Sequence, residues 1–508
     1  MSSIPPVISS ADRYWVLFAV CAAGLILPLE YTGPAMALPA IERALGGSPL
    51  ALAWVINAFA LSFGSVVMVA GTLADRYGRK RIFTLGMSSF TLFSLVIGFS
   101  PNVLVLDLLR GLQGIAAALA MSAGAASLAQ VFEGRARTQA FSLLGSAFGL
   151  GLASGPVIAG ALVQGLGWWA IFLLGALIGI AVLILGVPRM QESRDPQAGS
   201  LDKLGSLTFS AFLVFLTFAI MQIPQHGLGS FEVGGLLVGA VLWLGAFIRV
   251  EQRQRRPMLD LRLFGYWRFV GIQLLPVATA TCFIVLLIIL PLRLIGAEGL
   301  SEWQAGVLMI ALSAPMAIVP FSAALLTRWV SAGALACLGL LIAAGGLLWL
   351  SQVPVGQAGM SMVWPLLVIG IGTGLPWGLM DDLAISQVPV ERAGMATGIF
   401  TTMRACGEAI CVAGGLALLK AFLWREMADG ATLEAIDGVR LESAANAMVM
   451  GDMSGVQSLA LGLPRMEQLY GNAFASLLQV LAGITLLAAV FSALVLRRPR
   501  AADCPVVP

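Results

Sequence analysis

An all-helical membrane protein with fourteen spans is the fold class this sequence predicts, and three observations predict it. Of its 508 residues 59% are hydrophobic and only 11% are charged, where an ordinary soluble domain carries about 25% charged residues. The apolar residues fall in long runs of the roughly 20 residues that a helix needs to cross a bilayer. The basic residues, finally, are shared unevenly among the connections between those runs. This composition makes the lipid bilayer the main partner. A formal charge of +3 is too small to suggest nucleic acid.

The runs cover residues 14–38, 52–72, 82–100, 103–131, 138–164, 169–187, 205–224, 233–250, 268–292, 303–325, 332–352, 361–386, 393–419 and 472–496. Only Pro101-Asn102 separates the third from the fourth, and the Gly165–Gly167 turn separates the fifth from the sixth. With the N-terminus placed inside, the inner segments hold 21 of the 29 basic residues and the outer loops hold six. Arg110 and Arg404 alone lie within spans. Basic residues favour the cytoplasmic side, so an even number of spans and two cytoplasmic termini are expected.

Leu326–Gly333, after the tenth span, is a worn copy of Leu73–Lys80 after the second. Two related six-span bundles account for that repetition. The expected domains are residues 1–187, a linker with two additional spans over 188–262, and a second bundle over 263–508. Residues 420–471 form a long outer loop with seven acidic and four basic residues, in which Ala431–Leu441 reads as a short surface helix. The six cysteines have no metal or redox spacing and read as small packing residues. His226 reads as a loop residue, no signal peptide is expected, and no cofactor or metal is implied.

The densest polar island is Gly71-Thr-Leu-Ala-Asp-Arg-Tyr-Gly-Arg-Lys-Arg81, between two apolar runs. It must be a very short cytoplasmic turn, with Gly71 and Gly78 permitting close approach and Asp75 placed to pair with a guanidinium. Its order of residue types resembles the loop between spans two and three of major facilitator superfamily transporters, G-x-L-A-D-R-x-G-R-[KR]. A merely solvated charged turn is the plainer alternative.

Ionisable groups inside a span cost at least about 2.5–3.5 kcal/mol on insertion scales, so each needs a partner or a task. Leu29-Glu-Tyr-Thr-Gly-Pro-Ala-Met-Ala-Leu-Pro39 in span one carries Glu30. It is similar to the L-D-x-T-x-x-x-x-A-L-P signature of the drug:proton antiporter branch, with glutamate for aspartate and Ala35 for a frequent asparagine. A carboxyl group there can exchange protons; a hydrated residue at the outer lip is the alternative. Asp107-Leu-Leu-Arg-Gly-Leu-Gln-Gly114 in span four resembles the R-x-x-Q-G signature of proton-coupled members. Asp107 and Arg110, three residues apart, share a helix face and are placed to neutralise each other.

Span five holds Gly151-Leu-Ala-Ser-Gly-Pro-Val-Ile-Ala-Gly160, similar to the antiporter signature G-x-x-x-G-P-x-x-G-G. Gly151, Gly155 and Gly160 permit tight packing and Pro156 a bend, which reads as a bendable seam between the two bundles; generic small-residue packing is the alternative. Pro257–Phe264 looks like the inner segment P-[LM]-[LI]-D-L-x-L-F of the fourteen-span branch. In span thirteen Arg404 and Glu408 share a face, either as a self-satisfying pair or facing a cavity. In the cavity, Glu408 with Glu30 would favour a cationic or amine-bearing substrate. Asp381 and Asp382 end span twelve at the inner mouth.

The resemblance implies a major facilitator fold of two six-helix bundles plus two extra central spans. It implies an antiporter that acts as a monomer, exporting a small amphipathic compound, drug or dedicated metabolite, in exchange for protons. Glu30 and Arg110 would carry coupling, with Asp107, Arg404, Glu408, Asp381 and Asp382 as further proton or substrate positions. Gly71, Asp75, Arg76, Gly78, Arg79 and Lys80 would form an inner gate. An uncoupled or uptake transporter of the same fold is the alternative. A membrane-embedded enzyme lacks a nucleophile–base or metal-ligand spacing, and ATP-driven transport lacks a G-x-x-x-x-G-K-[ST] element.

Overall fold

The computed structural model describes residues 10–132, 134–194, 202–227, 229–254, 267–385, 393–430, 438–449, 451 and 463–496. Helices account for nearly all of them, and no strand occurs among the described residues. The first half comprises α1 (Ser10–Thr32), α2 (Pro34–Leu45), α3 (Pro49–Tyr77), α4 (Arg79–Ile97), α5 (Val103–Val131), α6 (Gly134–Leu166) and α7 (Ala170–Ala181). Two further helices follow, α8 (Lys203–His226) and α9 (Phe231–Arg253). Then come α10 (Trp267–Thr279), α11 (Val285–Leu292), α12 (Glu302–Ser313), α13 (Pro315–Leu326) and α14 (Ala332–Leu350). The chain closes with α15 (Met360–Ile385), α16 (Ala393–Gly430), α17 (Gly438–Val449) and α18 (Leu463–Val495).

Among the described residues, thirteen helical stretches are long and apolar enough to cross a membrane. A fourteenth is the bent pair Leu143–Leu152 and Ser154–Leu166, which meet at 45° within α6. The protein is thus multi-pass, and each of the fourteen runs has a helical counterpart. Short breaks come from prolines and caps. Pro34 separates α1 from α2, and Ser48, Asn102, Ser230, Ser301 and Ser331 each accept a backbone N–H at a helix start.

Within the first half, α3 packs on α5, α4 on α5 and α7, and α1 on α6. Within the second, α15 packs on α14, α13 and α12, and α18 on α14, α10 and α16. The halves meet where α6 lies on α12 and α3 on α16. The pair α8 and α9 stands at the side of this seam, with α8 against both α3 and α16. Only 17% of the α9 span is buried, whereas 89% of Arg268–Ala297 is. The extra pair is therefore peripheral, while the span that opens the second half is central.

The 420–471 region departs from expectation. The helix of span thirteen continues through Gly430 and the last one starts at Leu463, so much of the 420–471 stretch is helix rather than loop. A helix covers Gly438–Val449 and packs on α16; it includes the end of the expected Ala431–Leu441 helix, whose residues 431–437 lie outside the described residues. Its buried residues Ala444, Ala445 and Met448 join the main core. His226 is the last residue of α8, and its Nε2 lies 2.9 Å from Glu232 Oε2 at the turn into α9.

Glycines decide how closely α1 and α6 approach. A Cβ on Gly151 would run into the Leu25 carbonyl, whereas one on Gly145 would meet open space. Gly151→Ala is therefore expected to destabilise the protein by about 1–3 kcal/mol through overpacking. Gly145→Ala should be neutral or stabilising by up to about 1 kcal/mol through helix propensity. Thermal unfolding of the two purified variants checks the opposite signs.

Candidate functional site

The buried polar cluster of the first half is built on two helix defects. Pro34 has no N–H, so the Glu30 carbonyl four residues earlier loses its helical partner. Arg110, from α5, fills that vacancy: its Nη2 donates to the Glu30 carbonyl at 3.0 Å. Its Nε donates to the Val55 carbonyl of α3 at 2.8 Å, and its Nη1 donates to Gln113 Oε1. Gln113 Nε2 in turn donates to Glu30 Oε2, and to Ser94 Oγ at 2.7 Å. Ser94 donates to Glu30 Oε1 at 3.3 Å. Glu30, Arg110 and Gln113 have no solvent exposure, and Ser94 has 1%.

The guanidinium is also walled by aromatic faces, 4.4 Å from the Phe59 ring centre and 5.6 Å from that of Phe172. This adds cation–π attraction in a dry setting. Arg110 Nη1 and Glu30 Oε2 are 3.9 Å apart, with Gln113 hydrogen-bonded to both side chains. The charges are thus linked through a neutral amide rather than in a tight fork. Gly175 of α7 makes room for the carboxylate, since a Cβ there would run into Glu30 Oε1.

Several expected placements change. Glu30 is not a hydrated lip residue but lies wholly inside. The ion-pair partner of Arg110 is Glu30, not Asp107. Asp107 sits three residues nearer the N-terminal end of α5, with its Oδ1 buried and lacking a hydrogen-bond partner. Three of the five N–H groups of Arg110 go instead to α1, α3 and Gln113 of its own helix.

The second defect lies in α6. Pro156 leaves the Leu152 carbonyl without its helical donor. The Thr32 hydroxyl, fully buried, lies 3.5 Å from that carbonyl and 3.3 Å from the Pro28 carbonyl. Gly155 faces this hydroxyl and Gly151 faces Leu25, so both glycines pack α6 onto α1 inside the first half. Gly160 instead abuts the Glu302 carbonyl of α12, and Gly306 of α12 lies 3.0 Å (from its Cβ position) from the Pro156 carbonyl. Within Gly151–Gly160, the part from Pro156 on is the contact between the halves. Nearby, Arg43 Nη2 joins Glu302 Oε1 at 3.1 Å across the same boundary.

At the turn expected to lie inside, α3 and α4 are separated by Gly78 alone, at φ 116°. That backbone conformation favours glycine. Arg79 donates twice to Asp75 Oδ1, at 3.1 and 2.9 Å, and once to the Ala126 carbonyl at 3.4 Å. The partner that sequence reasoning missed is Glu192, seen only as part of a charged linker. Its carboxylate accepts from the Lys80 backbone N–H at 3.2 Å, lies 3.5 Å from Arg81 Nε, and occupies the space where Gly78 would carry a Cβ. Gly71 is corrected: it is mid-helix with open space at its Cβ position and makes no close approach. Arg76 is exposed, its guanidinium 5.4 Å from the Tyr77 ring centre.

In α16, Arg404 reaches over the Phe148 ring of α6 at 5.2 Å, and its charge acts on Glu408 one turn away. The side chains of Asp381 and Asp382 lie outside the described residues, as does Pro257–Phe264. Gln273 of α10 also escaped sequence reasoning: it is 1% exposed, and both its amide atoms lack partners. Nothing in its local sequence distinguishes it from a lipid-edge glutamine. Among the described residues no group of three or more His, Cys, Asp or Glu is placed to hold a metal ion.

Comparison with known proteins agrees with this architecture. The model of the Major Facilitator Superfamily matches residues 18–411. The multidrug resistance protein Stp of Mycobacterium tuberculosis is 31% identical over 379 residues, 74% of this chain and 70% of that protein. The cephamycin export protein CmcT of Amycolatopsis lactamdurans is 31% identical over 79% of this chain and 83% of its own. The tetracenomycin C resistance and export protein of Streptomyces glaucescens is 29% identical over 76% and 72%. Among solved structures, an inward-facing bacterial homologue of the human lysosomal transporter Spinster superposes with a TM-score of 0.64 at 16% identity. It covers 96% of this chain and 97% of its own.

The polar cluster makes a stability prediction of its own. Arg110→Met leaves the Glu30 carboxylate buried without its counter-charge and is expected to cost about 3–5 kcal/mol. Adding Glu30→Gln removes the unpaired charge and should recover much of that loss. Unfolding midpoints of the single and double variants in one detergent test it.

Proposed function

The chain belongs to the Major Facilitator Superfamily, and on that premise we propose that it exports small amphipathic compounds from the cytoplasm in exchange for protons. The family makes it a transporter rather than an enzyme. The printed roles of its relatives, multidrug resistance and export of antibiotics, support the outward direction and the substrate class.

One observation carries the proton-coupled reading: a glutamate with no solvent exposure, held by two neutral donors and set 3.9 Å from a fully buried arginine. When Glu30 is ionised, Arg110 is attracted to its carboxylate as well as to its main-chain carbonyl. Proton uptake removes one buried charge and loosens that attraction. The strand of chain so released is α1 at its break, where Gly33 and Pro34 already interrupt the helix. Proton binding would thereby bias the position of α1 against α5. Alternating access needs such a bias toward one of two arrangements of the halves. Arg43–Glu302 and the Gly160 contact would close the outer side, and Asp75–Arg79 with Glu192 would latch the inner one. Asp107, Arg404, Glu408, Asp381 and Asp382 are kept as further positions on the proton or substrate path. The two six-helix units with α8 and α9 between them, and cytoplasmic termini in an inner membrane, complete the reading.

Proton flux in proteoliposomes challenged with cationic, neutral and anionic compounds tests it. The wild type is expected to give substrate-evoked flux and Glu30→Gln to abolish it. Flux surviving in Glu30→Gln would move coupling to another carboxylate, Asp107 first. Compound movement without proton flux would leave a facilitator on the same fold.

A further inference from the structure

At the end of the spans remote from the Gly78 turn, a crevice of about 410 Å³ opens where the two halves meet. Leu50 and Ala53 at the start of α3 line it, with Met221 near the end of α8, Ala417 and Lys420 of α16, and Asn446 of α17. Both halves and the peripheral α8 thus share one cavity, and α17, which packs on α16 and α3, flanks it. A turn beyond Leu50 and Met221, the rings of Trp54 and Phe218 pack 5.9 Å apart between α3 and α8. That pair bounds the crevice on the side of the span centres.

The walls are apolar except at Lys420 and Asn446. Lys420 is 6% exposed, so its side chain belongs to the wall instead of reaching out into water. A positive charge in a cleft with low-dielectric walls concentrates anions there. Asn446 adds an amide whose Oδ1 is buried without a hydrogen-bond partner. A carbonyl oxygen only accepts, so a ligand hydroxyl or N–H is what meets it. Trp424, one turn beyond Lys420 on α16, is 40% exposed. Tryptophan at a span end marks the level of the lipid headgroups, which sets the lysine near that depth.

A matching ligand combines an anionic group, a hydroxyl donor, an apolar tail and residence at headgroup depth. Phosphatidylglycerol is the simplest lipid with all four. The volume lies near the lower end of small-molecule sites, about 300–1,000 Å³, which suits a headgroup and the top of one chain. We propose that this crevice binds the headgroup of an anionic glycerophospholipid. Its phosphate pairs with Lys420, a headgroup hydroxyl donates to Asn446, and an acyl chain runs along Leu50, Ala53 and Met221. The lipid touches α3 of the first half and α16 of the second, so it acts on the seam itself. The site is independent of what the protein exports.

Lipid binding to the purified full-length protein in a neutral detergent tests this with three probes. Dioctanoyl phosphatidylglycerol and dioctanoyl phosphatidylcholine share their chains, and glycerol phosphate is the acidic headgroup without them. The wild type is expected to bind phosphatidylglycerol about tenfold more tightly than phosphatidylcholine. Lys420→Gln should bring the two lipids within about twofold of each other, and Lys420→Arg should keep the preference. Ala417→Leu leaves the charge in place but narrows the crevice, and should weaken phosphatidylglycerol about tenfold. It carries the test if Lys420→Gln does not fold. Equal affinity of the wild type for both lipids, a preference that survives in Lys420→Gln, or unchanged binding in Ala417→Leu would overturn the assignment. Glycerol phosphate bound as tightly as the lipid would make this a site for small anions and overturn it as well.

Discussion

The buried guanidinium of Arg110 is the constraint on which the first half is assembled. A single side chain joins α1, α3 and α5 through the Glu30 and Val55 carbonyls and Gln113. Each bond answers a need created elsewhere. The Glu30 carbonyl is free because Pro34 cannot donate, and the charge needs compensation because no water reaches it. Helix packing in a membrane has no hydrophobic driving force between helices. A satisfied polar core of this kind can therefore do what an apolar core does in water. The same cluster holds Glu30, the carboxylate on which the proposed coupling rests, so on that proposal stability and coupling share their parts.

A second arrangement of this type fastens one end of the second half. Arg293 and Glu298 are each 1% exposed and 3.0 Å apart. Arg293 also donates to the Val353 and Pro354 carbonyls, and Glu298 accepts from the backbone N–H groups of Gly356 and Ala358. The connection between α14 and α15 is thereby tied down by charge-assisted bonds that are stronger than neutral ones. Sequence inspection placed Arg293 in an outer loop as a topological marker. Its burial follows from a π-helical turn at Arg293–Ala297 that carries the guanidinium inward under Phe474, 4.9 Å away.

The contrast between the two halves of the glycine-rich α6 shows how one motif serves two purposes. Gly151 and Gly155 bring α6 onto α1 within one bundle, while Gly160 brings it onto α12 of the other. The bend of 45° falls between Gly151 and Gly155. An element that touches both halves on either side of a bend is suited to transmit a rearrangement, and the bend is where it can yield.

Hydropathy and charge by themselves determined the class of this protein. Runs long enough to cross a bilayer must be helices, because lipid satisfies no backbone group, and the fourteen runs have fourteen helical counterparts. Charges inside those runs are costly, so Glu30, Arg110 and Glu408 stood out one by one without any structure. Their partners did not, because partnership across helices depends on helix rotation and register, which composition does not encode. Asp107, three residues from Arg110, was the sequence-local choice, yet Glu30, eighty residues away, is the actual partner. Glu192 at the inner turn, and Tyr31 and Gln273 with their unpartnered atoms, likewise became visible only in three dimensions. A tyrosine or glutamine in an apolar run carries no charge to attract notice. Only the packing around it decides whether its polar atoms are met.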